Sequence, residues 1–156
     1  MAGWAVAGGP VAVSTRWMSP TEQHFAFRFT PMYRLSGLAF GITEHTSGIT
    51  VTADELRVRF GLWRVSTPLS NISLLRITGP YAYLKTAGPA RLGLTDRGLT
   101  FATNAERGVC LAFHTPIVGI EPTGLLRHPN LTLTPADCVG LMAALGAPPP
   151  DAEPGR

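Results

Sequence analysis

The strongest constraint on the fold of this chain is a hydrophobic pattern of period two over residues 48–67. In "GITVTADELRVRFGLWRVST", apolar side chains alternate with polar or charged ones, and the alternation breaks at 53–55 and at 61–62. Successive side chains of a β-strand point to opposite faces of a sheet, so this pattern predicts three short strands with one apolar face. The short breaks between them are typical of hairpins, and we therefore expect antiparallel pairing.

The region before this pattern yields one prediction and one pair of alternatives. Residues 23–30, "QHFAFRFT", place their three phenylalanines on one face of a predicted strand. Pro31 ends or borders that strand, because proline has no backbone N–H to donate. Residues 32–46 lack a clean period, so either a strand around 38–42 or a short helix over the mouth of a barrel fits them.

Three stretches in the second half of the chain also indicate strands. Residues 71–78, "NISLLRIT", hold apolar residues at roughly alternate positions. Residues 91–103 hold two apolar runs around the turn signal "DRG", which predicts a hairpin. Residues 108–116 alternate between an inward set and an outward set: Val109, Leu111 and Phe113 against Cys110, Ala112 and His114.

Residues 134–146, "TPADCVGLMAALG", carry the signature of a helix. Thr134 is predicted as the N-cap, Pro135 as the first helical residue, and Gly146 as the residue at which the helix stops. An apolar stripe at helical spacing is predicted to enter the core, and it consists of Cys138, Leu141, Met142 and Leu145.

Length and composition favour one mainly β domain. A chain of 156 residues is long enough to bury a single core, and its 17 Gly and 14 Pro favour frequent turns. We predict a partly open antiparallel barrel of about seven strands capped by one C-terminal α-helix, because curling a sheet protects its edges. The predicted domain spans residues 22–146, between a flexible segment 1–21, in which Met18 is an alternative start to Met1, and a disordered Pro-rich tail 147–156.

The order of these elements resembles that of bacterial PH-like domains. The resemblance rests on "GITVTADELRVRFG" and "WRVSTPLSNI", and on the later segments "RLGLTDRGLTFAT" and "GVCLAFHTP". It also includes "NLTLTPADCVGLMAAL", a final strand followed by the predicted helix, and it covers residues 48–146. It implies a barrel closed by a C-terminal helix. It implies no single activity, since PH-like domains bind lipid headgroups, peptides or further copies of themselves.

The first candidate site is the outer face of the hairpin within residues 57–65. Period two places Arg57 and Arg59 on one outer face, with Arg64 on the facing strand and Trp63 near the turn. Side chains on one face of paired strands lie about 5–8 Å apart. Three guanidinium groups at that spacing predict a site for an anionic headgroup, a phosphopeptide or an acidic partner.

A second interpretation of the same hairpin needs no ligand. Asp54 and Glu55 lie in the preceding turn and are close enough in sequence to pair with the arginines. Trp63 would then belong to the core, and the arginine face would be an ordinary solvated surface.

The second candidate site is the loop of residues 79–90, "GPYAYLKTAGPA". Tyr81, Tyr83 and Lys85 alternate between two Gly-Pro turn signals. Loops carry binding residues more often than strands do, so these three side chains are predicted to contact a ligand or a partner peptide. The alternative is that the tyrosines pack back onto the barrel.

Residue spacing argues against catalysis and metal binding. Cys110 and His114 share a strand face but stand about 13 Å apart along it, too far for a thiolate–imidazole pair. The four histidines show no metal-binding spacing, and no cofactor motif is present. Cys110 and Cys138 are expected to be reduced thiols rather than a disulfide framework.

Charge and hydropathy narrow the expected partners. A net charge of +3 is mild for a nucleic-acid-binding domain, and no apolar run reaches the roughly 18 residues of a transmembrane helix. We therefore expect a non-enzymatic binding or scaffolding module in the cytoplasm or at the inner membrane face. Its expected ligand is a protein partner, a second copy joined through unpaired strand edges, or an anionic headgroup. The alternative is a small-ligand-binding barrel, or an enzyme, that uses the barrel interior.

Overall fold

The structure is a computed structural model that describes residues 22–80, 91–92, 97–119, 121 and 123–147. The protein is mainly β, with nine strands and two α-helices in these residues. The predictions for residues 1–21, for the loop residues Tyr81, Tyr83 and Lys85, and for all but the first residue of the tail lie outside the described residues.

The first sheet is antiparallel throughout and follows the chain in the order β1-β2-β3-β4. Helix α1 lies between its first two strands in sequence. The bounds of these elements are β1 Gln23–Phe25, α1 Pro31–Leu38, β2 Ser47–Val51, β3 Glu55–Phe60 and β4 Trp63–Pro68. The three strands predicted from residues 48–67 are therefore confirmed.

The second sheet has the strand order β5-β8-β9-β7-β6, and helix α2 follows it. The bounds are β5 Ile72–Thr78, β6 Arg91–Leu92, β7 Leu99–Phe101, β8 Gly108–Ile117, β9 His128–Leu133 and α2 Cys138–Ala144. The pairing of β7 with β9 is parallel, so the prediction of purely antiparallel pairing is wrong here. Strand β8 pairs with β5 on one side and with β9 on the other, so both of its edges are taken. Strand β7 therefore joins the sheet beside β9, and these two strands run in the same direction.

The described strands form two sheets and no closed barrel. The chain leaves the first sheet at Pro68 and passes through a 3-10 turn, Leu69–Asn71, into the second sheet at Ile72. Proline cannot donate to the ladder, which ends the pairing of β4 at this point. The predicted barrel of about seven strands is corrected to two sheets, because alternation identifies strands but does not identify their neighbours.

The core lies between the two sheets and is centred on aromatic rings. Phe60 from β3 stacks on Phe101 from β7 with ring centroids 4.8 Å apart, and Phe27 tilts against Phe60 at 5.2 Å. Phe60 and Phe101 are fully buried. These contacts tie the first sheet to the second and pack the hairpin of β3 and β4 against the core through Phe60.

Two predictions near Pro31 are resolved by the structure. The strand predicted over residues 23–30 is shorter, since β1 ends at Phe25 and Phe27 forms only an isolated bridge with Pro135. Pro31 begins α1, where its fixed φ suits the first helical turn and its missing N–H costs nothing. Of the two alternatives for residues 32–46, the short helix is confirmed for Pro31–Leu38.

Helix α2 forms as predicted, with a different cap. The Asp137 side chain accepts a hydrogen bond from the Gly140 N–H at 2.8 Å, so Asp137 and not Thr134 is the N-cap. Thr134 is buried, and its hydroxyl accepts from the Thr103 N–H at 2.8 Å. Because the Thr134 hydroxyl is bonded to Thr103, it does not cap the helix. Cys138, Leu141 and Leu145 are buried, as expected, and both cysteines are unbonded.

Candidate functional site

The hairpin of β3 and β4 is joined by a two-residue turn, Gly61-Leu62. Gly61 has φ +59°, and a Cβ at this position would lie 2.9 Å from the Ile42 side chain and 3.1 Å from the Phe40 carbonyl oxygen. Only glycine combines this left-handed backbone with so close an approach. The Gly61 N–H also donates to the Thr46 carbonyl at 3.0 Å. The turn is therefore held firmly against the segment that links α1 to β2.

The register of this hairpin decides which side chains meet on its outer face. On the outer face, Arg57 lies opposite Ser66 and Arg59 lies opposite Arg64, whereas Phe60 lies opposite Trp63 on the inner face. The intervening residues, including Val58 and Val65, point into the core. All three arginines predicted to share the outer face do so, and all three are exposed.

Arg57 is neutralised by a neighbour on its own strand. Its guanidinium donates from Nε and Nη2 to one carboxylate oxygen of Glu55, each at 2.7 Å. The Ser66 hydroxyl donates to the other oxygen of Glu55. These hydrogen bonds, first from Ser66 and then from Arg57, lower the pKa of Glu55 below its ordinary value. The interpretation in which Glu55 pairs with the arginines therefore holds for Arg57.

Arg59 and Arg64 differ from Arg57 in having no partner among the described residues. Neither forms a hydrogen bond or an ion pair within the part of the chain that the structure describes. On the other side of Arg59 lies Gly48 of β2, and the space above this glycine is open. Two like charges facing each other across an antiparallel pair destabilise it, so this arrangement favours an anion between or above them.

Of the two interpretations of Trp63, tip residue or core residue, the structure favours the core. Trp63 is half-buried and packs against the core, whereas Leu62 at the turn has 81% of its surface exposed. The apolar residue presented beside the arginines is therefore Leu62. Trp63 lies directly after the turn and opposite Phe60. Its packing against the core holds the turn in place.

The remaining reactive side chains are dispersed. Cys110 is half-buried on β8 and His114 is exposed on the same strand. Burial raises the pKa of the Cys138 thiol, which reduces its nucleophilicity at neutral pH. The described residues hold no group of three or more His, Cys, Asp or Glu that could bind a metal ion.

A shallow cavity of about 270 Å³ lies beside the hairpin turn, next to α1. Its lining is apolar at Phe29, Leu38 and Ile42, and Arg34 at its rim pairs with Glu44. Residues 32–46 showed no clean period in the sequence, so this part of the surface was not predicted. The signal that could have revealed it is the spacing of Met32, Leu35 and Leu38, three residues apart, directly after a proline.

Comparison with protein-family models, with curated proteins and with solved structures finds no match for this chain. Among the residues with described positions, no helix has the length and apolar character needed to cross a membrane.

Proposed function

We propose that this protein is a non-enzymatic binding module that docks on an anionic membrane face through the tip of its β3–β4 hairpin. The observation that carries the proposal is the pair Arg59 and Arg64, which face each other with no anionic partner among the described residues. Leu62 extends beyond them at the turn. Cations around an exposed apolar residue suit the boundary between headgroups and acyl chains.

The charge distribution along the hairpin supports docking with the turn toward the membrane. Asp54 and the Glu55–Arg57 ion pair lie at the other end of β3, about 17 Å from the turn along the strand. The pair carries no net charge and Asp54 is acidic, so an anionic surface attracts the turn and not the opposite end. Each basic residue close to such a surface contributes about 1 kcal/mol, so two arginines correspond to an affinity gain of roughly thirtyfold.

The fold itself supports a role at a surface over a role inside a cavity. The space between the sheets holds the buried rings of Phe27, Phe60 and Phe101, which contact one another. This packing favours the binding module over the small-ligand barrel or enzyme. We further propose that the two sheets and the C-terminal helix represent a PH-like variant, supported by the element order over residues 48–146. The inner, cytoplasmic face of a membrane is the proposed location.

Vesicle co-sedimentation tests the proposal. We expect the protein to sediment with vesicles containing phosphatidylglycerol, in proportion to that lipid, and to stay in solution with pure phosphatidylcholine. Arg59→Glu/Arg64→Glu should weaken binding by more than about tenfold. Arg76→Glu/Arg127→Glu is the matched control, because both arginines are exposed, both lie outside the hairpin, and the change in net charge is the same.

Two results would contradict the proposal. Equal sedimentation of the wild type and the double variant would show that this arginine pair does not bind headgroups. Binding to no vesicle, together with a dimer in light scattering, would instead favour self-association through this surface.

A further inference from the structure

Helix α1 is apolar on the side that faces away from the protein. At about 100° per residue, Met32, Leu35 and Leu38 fall within one stripe about 120° wide. Tyr33 and Gly37 occupy the opposite side and are buried against the body of the protein. Leu35 and Leu38 have 71% and 62% of their surfaces exposed. The outward face of a surface helix normally carries charged residues, whereas the outward face of α1 carries apolar ones.

The polar side chains of α1 do not make this outward face hydrophilic. Arg34 pairs with Glu44 at the cavity rim. The Ser36 hydroxyl donates back to the carbonyl groups of Met32 and Tyr33, at 3.2 and 3.3 Å. Arg34 and Ser36 are thus bound by nearby residues. The exposed Arg34–Glu44 pair lies beside a stripe that consists of the leucines and the methionine.

The apolar surface of α1 continues to the hairpin turn. The Gly37 carbonyl at the end of α1 accepts hydrogen bonds from the N–H groups of Phe40 and Ile42, each at 2.9 Å, which folds the chain back toward Gly61. Phe40 and Leu62 are both exposed along this path. Five of the ten large apolar side chains that are exposed in the described residues therefore lie in one region: Met32, Leu35, Leu38, Phe40 and Leu62. We name these five residues the apolar ridge.

The shape of the apolar ridge, and the charge of the arginines beside it, favour a lipid bilayer as its binding partner. Leu38 borders the shallow cavity beside α1, but the other four side chains do not line it and project from a helix and a turn. A groove that receives a partner's side chain would instead enclose its lining residues. Arg59 and Arg64 flank the turn that ends the ridge, and they complement anionic headgroups. A second copy docked through the same surface would bring four of these arginines into one interface, where they would repel.

We infer that the apolar ridge inserts below the headgroups of an anionic bilayer while Arg59 and Arg64 bind those headgroups, so that α1 lies along the membrane plane. This inference rests on the proposed function and adds a second, apolar mode of contact to the electrostatic one. An apolar helical face in this setting enters the boundary between headgroups and acyl chains by about 5–10 Å. Insertion of this kind persists at salt concentrations that screen the arginines.

A lipid monolayer separates insertion from surface attraction, because only insertion raises the surface pressure. The test variant is Leu35→Gln/Leu38→Gln, since glutamine keeps a good helix propensity at these exposed positions. Leu74→Gln/Val139→Gln is the matched control, which removes two exposed apolar side chains from β5 and α2. Thermal unfolding of both variants establishes that the fold is retained.

We expect the wild type and the control to raise the pressure of a phosphatidylglycerol monolayer and to stay bound to vesicles in high salt. Leu35→Gln/Leu38→Gln should still bind vesicles in low salt. It should raise the monolayer pressure clearly less than the wild type, because only three of the five ridge residues remain, and its affinity for vesicles in high salt should fall by about tenfold or more. Equal pressure rises for this variant and the wild type would overturn the inference and leave the headgroup contacts standing. Failure of the wild type to bind any vesicle would overturn both the inference and the proposed function.

A dimer is the competing occupant, and the same variants address it. A wild-type dimer that becomes monomeric in Leu35→Gln/Leu38→Gln, with no pressure rise from either protein, would assign the apolar ridge to self-association and overturn bilayer insertion.

Discussion

Arg59 and Arg64 lie directly opposite each other on β3 and β4, and neither has an ion-pair partner in the described residues. Replacing one of them by an acid would convert a repulsive cross-strand pair into an attractive one. We expect Arg64→Glu to raise the free energy of unfolding by about 0.5 kcal/mol and at the same time to weaken binding to anionic vesicles. Urea denaturation and co-sedimentation measure the two effects. A variant that is less stable than the wild type would contradict the repulsion argument.

The stack of Phe60 on Phe101 should be a main source of cohesion between the two sheets. Phe101→Ala removes a fully buried ring and leaves a cavity, so we expect a loss of about 3–5 kcal/mol in the free energy of unfolding. Phe40→Ala is the control, because Phe40 is exposed and should lose less than about 1 kcal/mol. Chemical denaturation of both variants tests this, and similar losses would show that the stack does not dominate the core.

The N-cap of α2 provides a test of local structure. Asp137→Ala removes the acceptor for the Gly140 N–H and should cost about 1 kcal/mol of stability. Asp137→Asn keeps an acceptor oxygen and should restore most of that loss. If Asp137→Ala were as stable as the wild type, the helix would depend on another cap.

The loop between β8 and β9 should respond to acid through Glu121. Hydrogen bonds to its carboxylate, first from the Thr123 hydroxyl and then from the Leu126 N–H, lower the pKa of Glu121 from 4.5 to about 2. A lowered pKa means that the carboxylate stabilises the loop fully above pH 4.5 and loses this effect as the pH falls through about 2.

Carboxyl NMR measures this titration directly, and the Leu126 amide signal should move with it. Thr123→Ala removes the hydroxyl hydrogen bond that lowers the pKa of Glu121 the most, so the pKa should rise toward its ordinary value. A wild-type midpoint near the ordinary value would show that the loop hydrogen bonds do not form in solution.

Local sequence patterns determined much of the fold because their causes are local. Alternation over residues 48–67 predicted three strands with the correct inward faces, and the stripe on residues 138–145 predicted α2. Backbone geometry alone sends alternate side chains to opposite sides of a strand, whatever the rest of the chain does. The three arginines could be placed on one face for the same reason.

Only the tertiary structure decided which of these residues are free to act. Glu55 pairs with Arg57, whereas Arg59 and Arg64 have no partner in the part of the chain that the structure describes. Strand register and side-chain reach set this difference. The parallel placement of β7 beside β9 and the outward turn of Leu35 and Leu38 likewise depend on neighbours that are distant in the chain. Sequence periodicity reports the faces that an element has, whereas packing between elements decides which face is covered and which one meets a partner.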